Sequence, residues 1–159
     1  MRARLSVMFL MASLCLIAVT RELKSDEKAP PSDKEIIDLV GTRMSKVFVK
    51  LGYPDDLLPT DVNADDPEVL LDYGSYGFKI QNRVVDCCIF FSNWKGTVYG
   101  AKIGDSQDDV VKKLGQPEST NKDSDGLPYL VWSFKDQDGY LMINFDKDNK
   151  MDRAVVNAE

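Results

Sequence analysis

Val40-Gly41-Thr42-Arg43-Met44-Ser45-Lys46-Val47-Phe48-Val49-Lys50-Leu51-Gly52-Tyr53-Pro54 is matched, 63 positions later and without a gap, by Ile103-Gly104-Asp105-Ser106-Gln107-Asp108-Asp109-Val110-Val111-Lys112-Lys113-Leu114-Gly115-Gln116-Pro117. A repeat of this kind is read before any single element, because it sets the architecture. In the first copy Met44, Val47, Phe48 and Leu51 stand at i, i+3, i+4, i+7. That spacing predicts a helix over about 42–51 with one apolar stripe. In the second copy Asp105 or Ser106 caps, Asp108 and Asp109 suit the first turn, and Lys112 and Lys113 suit the last. Val110, Val111 and Leu114 face inward, and in both copies a glycine ends the helix before a proline forbids its continuation.

Strand-like sequence follows each helix. Val69–Tyr73, Tyr76–Gln81 and Val84–Phe91 alternate after the first, with Asn82-Arg83 as a tight reversal. Tyr129–Lys135, Gly139–Phe145 and Met151–Val156 alternate after the second, joined by Asp136-Gln137-Asp138 and by Asp146-Lys147-Asp148-Asn149-Lys150. The expected fold class is therefore α+β: two tandem helix-plus-antiparallel-strand repeats, about 36–99 and 100–157, with helices packed on one face of an antiparallel sheet. A chain of 159 residues that is 43% hydrophobic suffices for one such core, so 34–159 is expected to be a single domain.

Ahead of that domain, Arg2 and Arg4 precede an apolar run from Leu5 to Val19, and Ala18-Val19-Thr20 offers a small-residue cleavage site. Residues 1–20 read as a signal peptide, which implies export to a periplasmic or extracellular location. The run is short for a bilayer span of roughly 20 residues, so membrane association is expected only if this segment stays uncleaved. Residues 21–33, with Lys24-Ser25-Asp26-Glu27-Lys28-Ala29-Pro30-Pro31, lack apolar periodicity and read as a disordered tether. Ser32 or Asp33 then caps a short helix carrying Ile36, Ile37, Leu39 and Val40. Cleavage would remove two arginines and no acid, leaving 18 basic against 26 acidic side chains. A net charge of −8 argues against nucleic acid, whose binders carry a basic stripe.

The helix opening with Ile103-Gly104-Asp105-Ser106, passing through Val110 and closing with Leu114-Gly115-Gln116-Pro117, then a strand with Trp132 and a hairpin, resembles the repeat unit of the β-lactamase inhibitor protein fold. The unit is also similar to that of the SmpA/OmlA outer-membrane lipoproteins. What the resemblance implies, over about 36–156, is a sheet with one face under the helices and a concave face open to a protein partner. Two departures limit it. The inhibitor has a disulfide within each repeat, which this chain cannot form, and the lipoprotein has an acylated cysteine, whereas Leu14-Cys15 is a poor lipobox.

Only Cys87 and Cys88 survive cleavage, and neighbours about 3.8 Å apart are poorly placed to bridge, so free thiols are expected. Alternation puts Cys87 in phase with Val85 and Ile89, on the core side, and Cys88 with Asp86 and Phe90, on the other. Catalysis is disfavoured by what the chain lacks. It contains no histidine and no glycine-rich phosphate loop, and its paired aspartates (Asp55-Asp56, Asp65-Asp66, Asp108-Asp109) suit solvated turns and a helix start. Asn121-Lys122-Asp123-Ser124-Asp125-Gly126 matches the start of a calcium loop, but Trp132 stands at its twelfth position. No catalytic residue, metal site or cofactor is expected.

The expected site is instead a partner-binding surface. Leu141, Ile143 and Phe145 form the core phase of their strand, so Tyr140 and Met142 point the other way. Tyr129 falls opposite to Leu130 and Trp132 in the preceding strand. Lys79, Gln81, Asp86, Cys88 and Phe90 form the matching open phase of the first half, while Tyr73, Tyr76 and Trp94 sit on glycine-bearing loops suited to contact. The expected function is an exported, non-enzymatic, inhibitor- or immunity-like module binding a protein partner through Tyr73, Tyr76, Trp94, Tyr129, Tyr140 and Met142. The alternative is a structural or assembly component of the bacterial cell envelope.

Overall fold

A computed structural model describes residues 30–61, 68–134 and 139–157. The expected signal peptide, the tether up to Ala29, Asp65-Asp66 and the Asp136-Gln137-Asp138 turn lie outside the described residues. Contacts divide the chain after Pro30, and all described secondary structure lies in the second unit, Pro31–Glu159.

Where apolar residues alternate, strands form: β2 (Glu68–Asp72), β3 (Tyr76–Gln81), β4 (Val84–Phe90), β6 (Pro128–Ser133), β7 (Tyr140–Phe145) and β8 (Met151–Asn157). Two further strands, β1 (Asp56–Asp61) and β5 (Ser119–Lys122), were not expected from the pattern. They occupy the two sheet edges, where pairing on one side tolerates Pro59 and a wholly polar Ser-Thr-Asn-Lys run.

The arrangement corrects the expected fold class. The strands join in one continuous eight-stranded antiparallel sheet, β1-β2-β3-β4-β8-β7-β6-β5, rather than in two helix-plus-strand repeats packed on one face. Among the described residues, helix is confined to α1 (Asp33–Ile37), α2 (Met44–Leu51) and α3 (Gln107–Leu114). Each is short and fully buries a single residue, Ile36, Val47 and Val110 in turn, with Ile37, Met44, Phe48, Leu51, Val111 and Leu114 packed half-buried beside them. The sheet gains its continuity where Cys87–Phe90 of β4 pairs with Ala154–Asn157 of β8, so that neither strand is left as an edge.

One core results. Leu71, Phe78, Ile80, Val85, Cys88 and Phe90 come from the first four strands, and Leu130, Leu141, Ile143, Phe145, Met151, Ala154 and Val156 from the last three. Helix entry is fixed to this core at two like places. Gly41 N–H donates to Val85 O and Val85 N–H to Thr42 O, both 2.8 Å; Gly104 N–H donates to Met151 O and Met151 N–H to Asp105 O, also 2.8 Å. Ser32 caps α1 in a reciprocal box with Glu35, and Ser106 caps α3 through Asp109 N–H, whereas α2 starts at Arg43 with no side-chain cap.

The β3–β4 reversal is as expected. Asn82 and Arg83 have φ of 53° and 64°, the left-handed pair of a tight hairpin turn, and Arg83 O accepts the Met44 N–H at 2.9 Å. Asparagine enters this region readily and arginine only at a cost, so Arg83→Gly should raise stability by about 0.5–1 kcal/mol in chemical denaturation, provided the carbonyl at this position keeps its bond to α2.

Candidate binding face

Register defines the face opposite the core. Alternate residues Tyr129, Val131 and Ser133 of β6, Tyr140, Met142 and Asn144 of β7, and Val155 and Asn157 of β8 share it. Across the central pair it continues to Ile89 and Cys87 of β4, then to Gly77 and Lys79 of β3 and Leu70 of β2. One cross-strand row reads Val131, Met142, Val155, Ile89: four apolar residues in register, each half-buried. Polar and charged groups border it. Lys79 Nζ pairs with Glu68 at 2.7 Å, and the hydrogen bond from that ammonium to the carboxylate holds it above its ordinary range. Asn144 carries a buried Oδ1 with no hydrogen-bond partner among the described residues.

Tyr129, Tyr140 and Met142 are brought together on this face, as their phase implied. Tyr73, Tyr76 and Trp94 are not. Tyr76 and Trp94 are both only 7% exposed, and Tyr73 packs against the same core. Tyr73 and Tyr76 stack at 5.2 Å between ring centroids, Tyr76 meets Trp94 edge-on at 5.8 Å, and Phe90 meets Trp94 at 5.2 Å. Trp94 Nε1 donates to Thr97 O at 3.3 Å, and Tyr73 Oη donates to Gly52 O at 2.8 Å, so the polar tips are satisfied from within. A Cβ added at Gly96 would lie 2.5 Å from the Trp94 ring, which explains the glycine beside this tryptophan as packing space, not loop adaptability.

The phase of β4 is also corrected. Lys79 pairs with Cys87 but Ile80 with Val85, leaving Asp86 in a bulge. That extra residue turns Cys88 and Phe90 inward with Val85, and sends Cys87 and Ile89 to the open face. A second irregularity between Asn144 and Phe145, opposite Asp152, resets β8 so that Ala154 and Val156 face the core while Val155 faces out. Ile89 and Val155 were missed as site residues because no residue type announces either bulge.

Both thiols are free and buried. Burial pushes Cys87 up to about 11 and Cys88 higher still, so neither is a ready nucleophile. The folded chain therefore keeps thiol protons that the unfolded chain sheds near pH 9, and stability must fall as pH rises from about 9 toward 11. For Cys87 alone the loss at pH 10 should be about 1 kcal/mol, and a Cys87→Ala variant followed by denaturation between pH 8 and 10 should show a correspondingly flatter decline.

The two acidic turns are occupied by their own backbones. Asp123 Oδ1 accepts from Asp125 N–H and Leu127 N–H, and Asp146 Oδ1 from Asp148 N–H and Lys150 N–H, all at 2.9 Å. These are side-chain-stabilised turns between strands.

Against known proteins, no family matches the sequence and no curated protein does. Solved structures do match the fold. An extracellular protein containing a SCP domain from Bacillus anthracis matches 87% of this chain and 49% of its own, with TM-score 0.55 and 15% identity. A DUF4309 family protein of Bacillus subtilis matches 81% of this chain and 86% of its own, with TM-score 0.55 and 13% identity. A cysteine-rich secretory protein of Staphylococcus aureus matches 77% and 44%, with TM-score 0.49 and 17% identity. The chain thus spans about half the length of the first and third of these. The two neighbours with TM-score 0.55 show a shared fold and, at identities of 15% and 13%, nothing beyond it; neither the inhibitor nor the lipoprotein family is among these neighbours.

Proposed function

We propose that this chain is an exported, non-enzymatic module that binds a protein partner through the open sheet face. The observation that carries the reading is the in-register row Val131, Met142, Val155, Ile89, with Tyr129 and Tyr140 beside it and charges at its border. An apolar centre with tyrosines and a polar rim is the anatomy of a protein interface. Export is supported by Arg2, Arg4 and the Leu5–Val19 run, and by the extracellular character of the Bacillus anthracis neighbour. An inhibitor- or immunity-like role, in which the module covers a partner's surface, is the form of binding that a continuous apolar sheet face with a polar border would serve.

Capture from the extracellular and envelope fractions of cells expressing the full chain tests this. A Tyr129→Ala, Tyr140→Ala, Met142→Ala variant should lose the partner retained by the native chain, by about tenfold or more, with its unfolding transition largely preserved. Equal retention by the variant would refute the face.

A further inference from the structure

On the core side of the sheet, a cavity of about 460 Å³ lies between α2 and strands β1–β3. Met44 and Phe48 line it from α2, Tyr53 and Leu57 from the segment that follows, and Val69 and Ile80 from the sheet. The volume is within the roughly 300–1,000 Å³ typical of small-molecule sites. Its mouth is marked by Tyr53 at 87% exposure and Leu57 at 56%, an aromatic and an aliphatic residue left in water. The Asn82-Arg83 turn closes one end. Arg83 has no ion-pair partner among the described residues, and no carboxylate lines the cavity.

Comparison of the two self-similar stretches isolates the residues responsible. Val47, Leu51, Gly52 and Pro54 have Val110, Leu114, Gly115 and Pro117 as counterparts, and these do the structural work in both. Met44, Phe48 and Tyr53 have Gln107, Val111 and Gln116 instead. All three departures enlarge apolar or aromatic surface, and all three line the cavity. The Tyr53 ring lies 5.5 Å from that of Phe48, so the two departures together build an aromatic wall that reaches from the cavity to its mouth.

We propose that this cavity binds a single-chain anionic amphiphile of the medium-chain fatty acid class, its tail among Met44, Phe48 and Ile80 and its carboxylate at Arg83. Apolar walls select the alkyl chain by area, and a lone guanidinium at the rim selects an anionic head without burying a charge.

Isothermal titration of the full chain with decanoate, octanoate and 1-decanol tests it. Decanoate should bind at one saturable site, about fifteenfold more tightly than octanoate for two further methylenes. Arg83→Gln should weaken decanoate by about tenfold while leaving 1-decanol unchanged, and Leu57→Asp, which places an anion at the mouth, should weaken decanoate at least as much. Both positions are exposed, so neither variant threatens folding. Absence of saturable binding would overturn the proposal. So would undiminished decanoate binding in Leu57→Asp, which would place the fatty acid elsewhere, the apolar Leu5–Val19 run included; loss of 1-decanol binding in Arg83→Gln would overturn the role of Arg83 as the head-group contact.

Discussion

Replacing Trp94 by alanine is expected to destabilise the protein by about 3–5 kcal/mol, the range for removing a buried aromatic side chain. The indole is enclosed by Tyr76 and Phe90 and lies close over Gly96, so little can collapse into the space it vacates. Its loss also leaves Thr97 O without that donor. Tyr129→Ala, on the open face, should cost well under half as much, since a half-exposed site can refill with water. Denaturant titration of the two variants gives both values. Similar losses would mean that the loop bearing Trp94 and the open face are equally structural.

The second large effect belongs to Gly52 and Gly115. Their φ, ψ pairs are 89°, −168° and 84°, −173°, a region that essentially only glycine enters. Nothing stands within 4 Å of an added Cβ at either, so alanine there tests backbone strain without a clash. Each carbonyl also anchors an aromatic side chain: Gly52 O accepts from Tyr73 Oη at 2.8 Å, and Gly115 O from Trp132 Nε1 at 3.2 Å. Gly52→Ala and Gly115→Ala should each cost about 1–3 kcal/mol. The sites cap two different helices, α2 and α3, and share no hydrogen-bond partner, so the double variant should lose close to the sum, measured as the shift in denaturation midpoint.

Much of the local structure is legible in residue type and spacing. Six of the eight described strands and the Asn82-Arg83 reversal follow from residue type, because each depends on neighbours only a few positions away; the caps follow to within one residue, Ser32 or Asp33 and Asp105 or Ser106, and the structure places both at the serine. The sheet's continuity was not legible. It rests on the β4–β8 pairing, a contact between residues nearly seventy positions apart that leaves no local pattern. Pro59 and the polar run of β5 hid the two edges, since edge strands are only half constrained. The face was read correctly where strands are regular, at Tyr140 and Met142, and wrongly where one extra residue intervenes, at Cys88 and Phe90 beyond Asp86. Tyr76 and Trp94 looked like contact residues for another reason. Glycine next to an aromatic signals flexibility in sequence, but here Gly96 makes room for the ring.

That leaves Met142 and Val155 at the centre of the claimed surface, with Lys112 on α3 as an exposed position outside it. A photoreactive amino acid placed at each of the three, in the full chain and in its native host, tests the surface directly. The binding reading predicts a covalent adduct with the same protein from positions 142 and 155 and none from 112. Adducts of equal yield from 112, or none from 142 and 155, would contradict it.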